Sequence, residues 1–437
     1  MTGAGARDQL VDLYSAAIAG ANVESLTANA VASVPLERRH RVWVFSFGKA
    51  AHAMANAAIS TLHRALAEVA GGIIVAPNGA DAPSGTIGVA VGDHPIPGRR
   101  SFAAATRIGQ ALTQKRGDLG IVLLSGGASS LMAAPLRGMS ERDLSQLYEL
   151  LLTSGLDIHQ MNAIRKRFSY WAAGRMALTL APSRTYCFVV SDVTGDDLAT
   201  IGSGPCVPDP TRIQQVIELL QGSQLFAKIS PSFRQFLLDT ARGAIPETPK
   251  SSHPAFAHVS ARVVANNSGA LNAAAAAARR LGVQTTVHTQ PLVGDATAAG
   301  ARVVESLLAI RDRAERGTTH CVIWGGETTV AIRGPAPAGG RCQELTFAAS
   351  KQLADAGERA LGISLLAAGT DGRDGATDAA GAIVDASTWT AIGATRDAAA
   401  ALRNHESYAA LKSANALFAP GITGTNVMDI TIGLVRA

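Results

Sequence analysis

The sequence predicts a two-domain α/β fold built around a doubly wound sheet, and three observations carry that prediction. Short β-branched and aromatic runs end at glycine and pass at once into alanine-rich helical stretches, the grammar of a βα unit. These runs contain few alternating polar positions, as strands buried on both faces do. The chain also has 437 residues, more than one hydrophobic core accommodates (about 250–300 residues), so two domains are expected.

Residues 7–33 read as one helix, with Leu10, Leu13, Tyr14, Ala17 and Ile18 at helical spacing. RVWVFSFG (41–48) is a strand ending at glycine, and KAAHAMANAAISTLHRALAEV continues it as a helix. GGIIVAP (71–77) and IGVAVGDHP (87–95) are strand-like, and 101–116 is helical. DLGIVLLSGGAS (118–129) runs from a strand into a glycine-rich turn, and RTYCFVVSDVTGDD (184–197) repeats the form with acids in place of glycines. The stretch GAIPETPKSSHPAFAH (243–258) concentrates proline, serine and threonine and is the expected linker, giving domains at 1–245 and 255–437. Beyond it come strand 261–267, helix 270–281, strand 283–289 and helix 295–316. Strand 318–326 follows with a hairpin partner at 328–334, then helix 343–356, strand 363–372 and strand 427–435.

A hydrophobic fraction of 47% with 17% charged residues describes a folded globular chain. The net charge of +5 comes from arginines scattered among acids, which is a solvated surface with room for a basic cleft that meets an anionic substrate. No basic stripe or reading motif points to nucleic acid. Cys187, Cys206, Cys321 and Cys342 lie far apart without a C-x-x-C pair, which argues against a disulfide framework or a zinc site. The amino terminus lacks a basic region followed by an apolar stretch, and no run of about eighteen apolar residues occurs. A cytoplasmic protein with no membrane partner is expected.

Several motifs could carry chemistry. In SGGASS, residues Ser125, Gly126, Gly127, Ser129 and Ser130 follow a strand, where glycines let backbone N–H groups face an anion and a following helix adds its positive end. A tight turn that merely needs glycine is the plain alternative. Lys49 falls where a strand meets a helix N-terminus, a position unfavourable to a cation unless an anion offsets it. In SDVTGDD, Asp192 and Asp197 could ligand Mg²⁺ or serve as a general base, or Asp196 and Asp197 could cap a turn. The Gly202-Ser203-Gly204-Pro loop is a second candidate anion cradle. Arg341 sits in GGRCQEL, where a planar guanidinium can fork onto a carboxylate or phosphate, and GGETTV places Glu327 nearby in sequence. Asp371, Asp374 and Asp378 occupy a glycine-rich loop that lacks the calcium-loop order; metal-assisted phosphate binding or a solvated turn are the readings left. Asn426 and Asp429 stand at another turn-to-strand junction. Neither a P-loop nor a G-x-G-x-x-G fingerprint is present.

These residues, in this order, resemble the glycerate 2-kinase family, whose C-terminal part is the MOFRL domain. The likeness runs through FGKAAHAMA, GDHPIPG, LLSGGASSLMAAP, SGLDIHQMNAIRKRFSYWAAGRMA, SDVTGDDLATIGSGPCVPDPT, GGETTVAIRG, GRCQELTFAAS, GTDGRDGATDAAGA and TGTNVMDI. The resemblance implies an N-terminal Rossmann-like α/β/α domain and a smaller C-terminal α/β domain containing MOFRL at about 318–430, with an active site in the cleft between domains. It implies ATP- and Mg²⁺-dependent phosphorylation of D-glycerate at the 2-hydroxyl. Lys49 and Arg341 match the family's lysine and glycine-flanked arginine, for the glycerate carboxylate and the transferring phosphoryl group, and Asp192 is the expected base. Nucleotide contacts are expected from Ser125, Gly126, Gly127, Ser129, Ser130, Gly202, Ser203, Gly204, Glu327 and Asp371, and metal contacts from Asp192 and Asp197. The chain departs from the family pattern at Cys342, Ala128 and Met428. The sequence leaves the oligomeric state open, a homodimer among the options. A nicotinamide-dependent hydroxypyruvate reductase and a non-catalytic sugar-acid sensor are the competing readings.

Overall fold

The computed structural model describes residues 3–37, 40–113, 118–332, 334 and 337–437. The stretch read as one helix is two, α1 (Gly3–Gly20) and α2 (Val23–Ala32). Gly20 and Asn22 are both poor helix-interior residues, and the chain turns between them. The break also separates two compact units: residues 3–22 join 265–437 in one, and 23–264 form the other. This division differs from the 1–245 and 255–437 split read off the sequence.

The 23–264 unit holds β1 (Arg41–Phe47), α3 (Ala51–Arg64), β2 (Glu68–Ala76), β3 (Ile87–Val91), α4 (Arg99–Thr113), β4 (Leu119–Leu124) and α5 (Ala128–Leu131). The last residues of the expected 101–116 helix lie outside the described ones. There follow α6 (Glu141–Leu152), α7 (Ile158–Phe168), α8 (Arg175–Leu180), β5 (Thr185–Val190), α9 (Ile213–Gly222), α10 (Pro231–Ala241) and β6 (Val259–Ala265). The six strands are ordered β3-β2-β1-β4-β5-β6, with β3, β2, β1, β4 and β5 parallel to their neighbours. Every residue of β4 is buried, as a strand covered on both faces requires. Phe45, Phe47, Ile73, Val122 and Val189 alternate onto one face and pack with Ile108, Trp171 and Met176. A second core joins α6, α7, α9 and α10 through Leu147, Phe168, Val216 and Phe233. Asp157 opens α7 with a capping box to Gln160, and Ser140 caps α6.

The proline-rich 243–258 stretch is a packed part of this unit. Glu247 pairs with Arg167 at 2.8 Å, the Thr248 hydroxyl donates to Asp209 at 2.7 Å, and the Lys250 ammonium donates to the Asp209 and Thr211 carbonyls. Charged anchoring therefore holds a segment whose composition reads as a hinge, and β6, assigned beforehand to the second domain, completes the first sheet.

The other unit contains α1 with α11 (Asn267–Arg280), β7 (Gln284–Val287), β8 (Leu292–Asp295), α12 (Ala296–Arg311), β9 (Thr319–Thr329), α13 (Arg341–Asp355) and β10 (Ile363–Gly369). It closes with β11 (Gly381–Asp385), α14 (Thr388–Gly393), α15 (Ala398–Arg403), α16 (Ser407–Ser413), β12 (Leu417–Phe418) and β13 (Asp429–Arg436). The sheet order is β12-β11-β10-β13-β9-β7, mostly antiparallel, with β7 and β8 parallel to β9. Of the hairpin partner expected at 328–334, residue 333 lies outside the described ones, and its described residues after Thr329 form no strand. β9 runs through both glycines to Thr329 because β8 pairs with its last four residues. The helix α1 packs on α11, and Tyr14 donates to the Gly369 carbonyl at 2.8 Å. Among the described residues, no helix is long and apolar enough to cross a membrane.

Candidate active site

In the strand order β3-β2-β1-β4-β5-β6, the connections reverse direction between β1 and β4. Ligands of doubly wound sheets sit beyond the carboxyl ends of the strands at such a switch point. Lys49 follows β1, the SGGASS turn follows β4, and Asp192 follows β5, so all three stand at this edge of one sheet. Local hydrogen bonds lock the arrangement. Lys49 N donates to the Gly126 carbonyl at 2.9 Å, Ala50 N to the Ser125 hydroxyl at 3.0 Å, and Ser125 N to the Phe47 carbonyl at 2.9 Å.

Gly126 is required by close approach: a Cβ there would overlap the Asp192 carboxylate. Asp192 is thus pressed against the backbone of the turn. Burial pushes its carboxyl above the ordinary aspartate value, with the charge of Lys49 acting in the opposite direction. His94, which the sequence reading passed over inside GDHPIPG, packs against Gly127. Burial, then the positive charges of Lys49 and Arg165, bring its pKa down to about 4, so the imidazole is neutral at physiological pH.

The second candidate cradle is bonded to the first. The Ser129 and Ser203 hydroxyls lie 2.8 Å apart, and Gly202 and Gly204 flank Ser203 in a tight turn. Ser130 folds back to the Gly127 carbonyl at 3.1 Å and is buried. The helix expected after the turn is a single turn, α5. Asp197 closes its own turn, its two oxygens accepting from Ala199 N at 3.0 Å and from the Thr200 hydroxyl at 2.6 Å. Among the described residues, no group of three or more His, Cys, Asp or Glu is placed to hold an ion.

In the other unit, Arg341 opens α13 inside a cleft of about 310 Å³ lined also by Glu327, Glu344, Asp374 and His405. Its guanidinium forks onto Asp429 at 2.6 and 2.8 Å and meets Glu327 at 2.9 Å. Burial lowers the Arg341 pKa, but the hydrogen bonds and charge of Asp429 with the charge of Glu327 outweigh it, leaving a fixed cation. Glu327 is thus Arg341's ion-pair partner. Asp374 accepts from Gln343 N at 2.8 Å, and burial raises its carboxyl to about 7. Asp371 closes its own loop by accepting from Arg373 N at 3.0 Å. Glu344 pairs with His405 at 2.8 Å. Sequence reasoning missed Glu344 and His405, since their pairing spans 61 residues; Asp429 was visible only as a strand-start acid.

A lysine, a glycine-rich turn and a pressed carboxylate gathered at a switch point place the chain among doubly wound α/β proteins, whose ligands sit beyond the strand ends. Two family models match the chain: "Domain of unknown function (DUF4147)" over residues 9–238 and "MOFRL family" over 320–429. The chain is 35% identical over 407 residues to the glycerate 2-kinase of Pyrococcus horikoshii, covering 92% of this chain and 89% of that one. It is 35% identical to an Agrobacterium vitis protein provisionally named hydroxypyruvate reductase, covering 98% and 94%. The crystal structure of glycerate kinase from Thermotoga maritima superposes with a TM-score of 0.85 at 32% identity, covering 99% of both chains. The chain belongs to the glycerate 2-kinase family, a family of kinases with a C-terminal MOFRL domain.

Proposed function

We propose that this protein transfers the terminal phosphoryl group of ATP to the 2-hydroxyl of D-glycerate, giving 2-phosphoglycerate and ADP. The observation that carries the reading is the joining of Lys49, the Ser125–Gly127 turn and Asp192 at the switch point of one sheet. The names of the Pyrococcus horikoshii and Thermotoga maritima relatives support the substrate.

Phosphoryl transfer asks a protein chiefly for positioning and for charge placed where the transition state develops it. Backbone N–H groups of the Ser125–Ser130 turn and the Ser129 hydroxyl, with Ser203 beside it, suit the nucleotide phosphates, while the Ser125 and Ser130 hydroxyls hold the turn itself. Lys49 is assigned to the transferring phosphoryl oxygens. Asp192 accepts the proton of the attacking 2-hydroxyl as its oxygen bonds to phosphorus and the bond to the ADP oxygen breaks. A carboxyl raised above its ordinary value is a stronger base once ionised. Mg²⁺ would neutralise phosphate charge. It needs only one or two carboxylates beside phosphate oxygens and water; with Asp192 taken as the base, Asp197 is the carboxylate that would hold it, through the lone pairs left beside its bonds to Ala199 N and the Thr200 hydroxyl.

The purified protein, given ATP, Mg²⁺ and D-glycerate, is expected to yield phosphoenolpyruvate when enolase alone is added. A requirement for phosphoglycerate mutase would place the phosphate on the other hydroxyl and end the assignment. A second reading, reduction of hydroxypyruvate, draws on the name of the Agrobacterium vitis relative and on the strand order shared with dinucleotide-binding sheets. The G-x-G-x-x-G turn such a site uses is absent. Oxidation of NADH by the protein with hydroxypyruvate would favour it.

A further inference from the structure

Three consecutive cations on α7, Arg165, Lys166 and Arg167, are all buried, yet among the described residues only two have counter-charges. Lys166 pairs with Asp209 at 3.2 Å and donates to the Ala199 carbonyl at 2.8 Å. Arg167 meets Glu247 at 2.8 Å and Asp209 at 3.5 Å. Arg165 is 7% exposed, and among the described residues no carboxylate reaches it. Its guanidinium lies 4.5 Å from the centre of the Tyr148 ring, one Nη donates to the Met161 sulfur at 3.8 Å, and its Nε is buried without a partner.

A stacked ring and a thioether are weak compensation for a buried positive charge, which is ordinarily retained only when paired. The surroundings indicate where the missing charge belongs. The Tyr148 hydroxyl donates to the Ser129 carbonyl at 3.0 Å, so the ring carrying Arg165 is fastened to the SGGASS turn. His94, against Gly127 on the same turn, feels the charges of Arg165 and Lys49 together.

We propose that Arg165 is a binding residue for a ligand oxyanion at this turn, the carboxylate or phosphate of the bound ligand supplying the counter-charge that the protein withholds. The proposal rests on reading the SGGASS edge as the active site. It predicts an opposition between stability and binding that a merely structural arginine would not show.

The test uses the full chain with Arg165→Met and Arg165→Lys, melted without ligand and with D-glycerate, ATP or inorganic phosphate separately, alongside KM for each substrate. At least one anion should raise the melting temperature of the wild type. Arg165→Met should melt as high as the wild type or higher without ligand, lose that rise, and show KM for the matching substrate increased about 30-fold. Arg165→Lys should recover part of both. Loss confined to D-glycerate assigns the carboxylate, and loss with ATP and phosphate assigns the phosphate. An Arg165→Met protein that melts lower yet keeps the rise, an Arg165→Lys protein indistinguishable from wild type in both KM values when Arg165→Met does not fold, or a wild type stabilised by none of the three anions would overturn the proposal. A wild type that never phosphorylates glycerate defeats the kinase reading instead, while the phosphate melts still judge Arg165.

Discussion

Lys49 is exposed and its backbone N–H, not its side chain, holds the turn in place. Lys49→Met should therefore leave urea unfolding within about 0.5 kcal/mol of wild type. It should lower kcat/KM by roughly 30- to 1,000-fold, the ~2–4 kcal/mol expected for one contact to developing charge. Asp192 must be ionised to accept a proton, and its pKa is raised. The rate should climb as pH rises through that value, and Asp192→Asn should remove this acid limb from a pH–rate profile. Asp374 gives a stability signature of known sign. Its folded pKa of about 7 lies above the ordinary 3.8, so the folded state holds the proton more tightly. The stability it confers is complete below the ordinary value and is lost as pH rises through about 7. Denaturant midpoints should fall across that window in the wild type and fall less in Asp374→Asn. Lys49 and the SGGASS turn were legible because strand, glycine and helix follow one another locally. His94, and Asp429 as the partner of Arg341, were not, because only the packed sheet brings them to their contacts.

At the scale of elements, the strands were the readable part, since β1, β4, β5, β10 and β13 are apolar runs buried on both faces. The misreadings came where packing overrides local pattern. GGETT looks like a turn, yet pairing with β8 keeps β9 straight. Residues 7–33 keep helical periodicity on both sides of a break that the periodicity itself does not register. Gly20 marks that break because a Cβ there would overlap the Ala273 side chain on α11. Gly20→Ala gains at most ~1 kcal/mol of helix propensity, against ~1–3 kcal/mol for forcing a methyl into a packed contact. The variant should unfold at lower urea, and adding Ala273→Gly should restore part of the loss.

At the scale of the whole molecule, composition suggested a linker at 243–258, whereas the Glu247–Arg167 ion pair and hydrogen bonds from Thr248 and Lys250 to Asp209 bind that segment to the first sheet. A linker's chemistry and an anchored loop's chemistry are the same residues until their partners are known. A fragment spanning 23–264 contains all six strands of its sheet and should melt cooperatively by circular dichroism. A fragment spanning 1–245 leaves β5 without its neighbour β6 and α1 without α11, and should show a broad transition or aggregate. The interrupted unit also sets an order of events during synthesis. The 23–264 segment can complete its core while the ribosome is still translating the remainder. The helix α1 has no such option: α11 follows only after the whole 23–264 segment, and β13 much later still, so α1 must wait for partners made well after it.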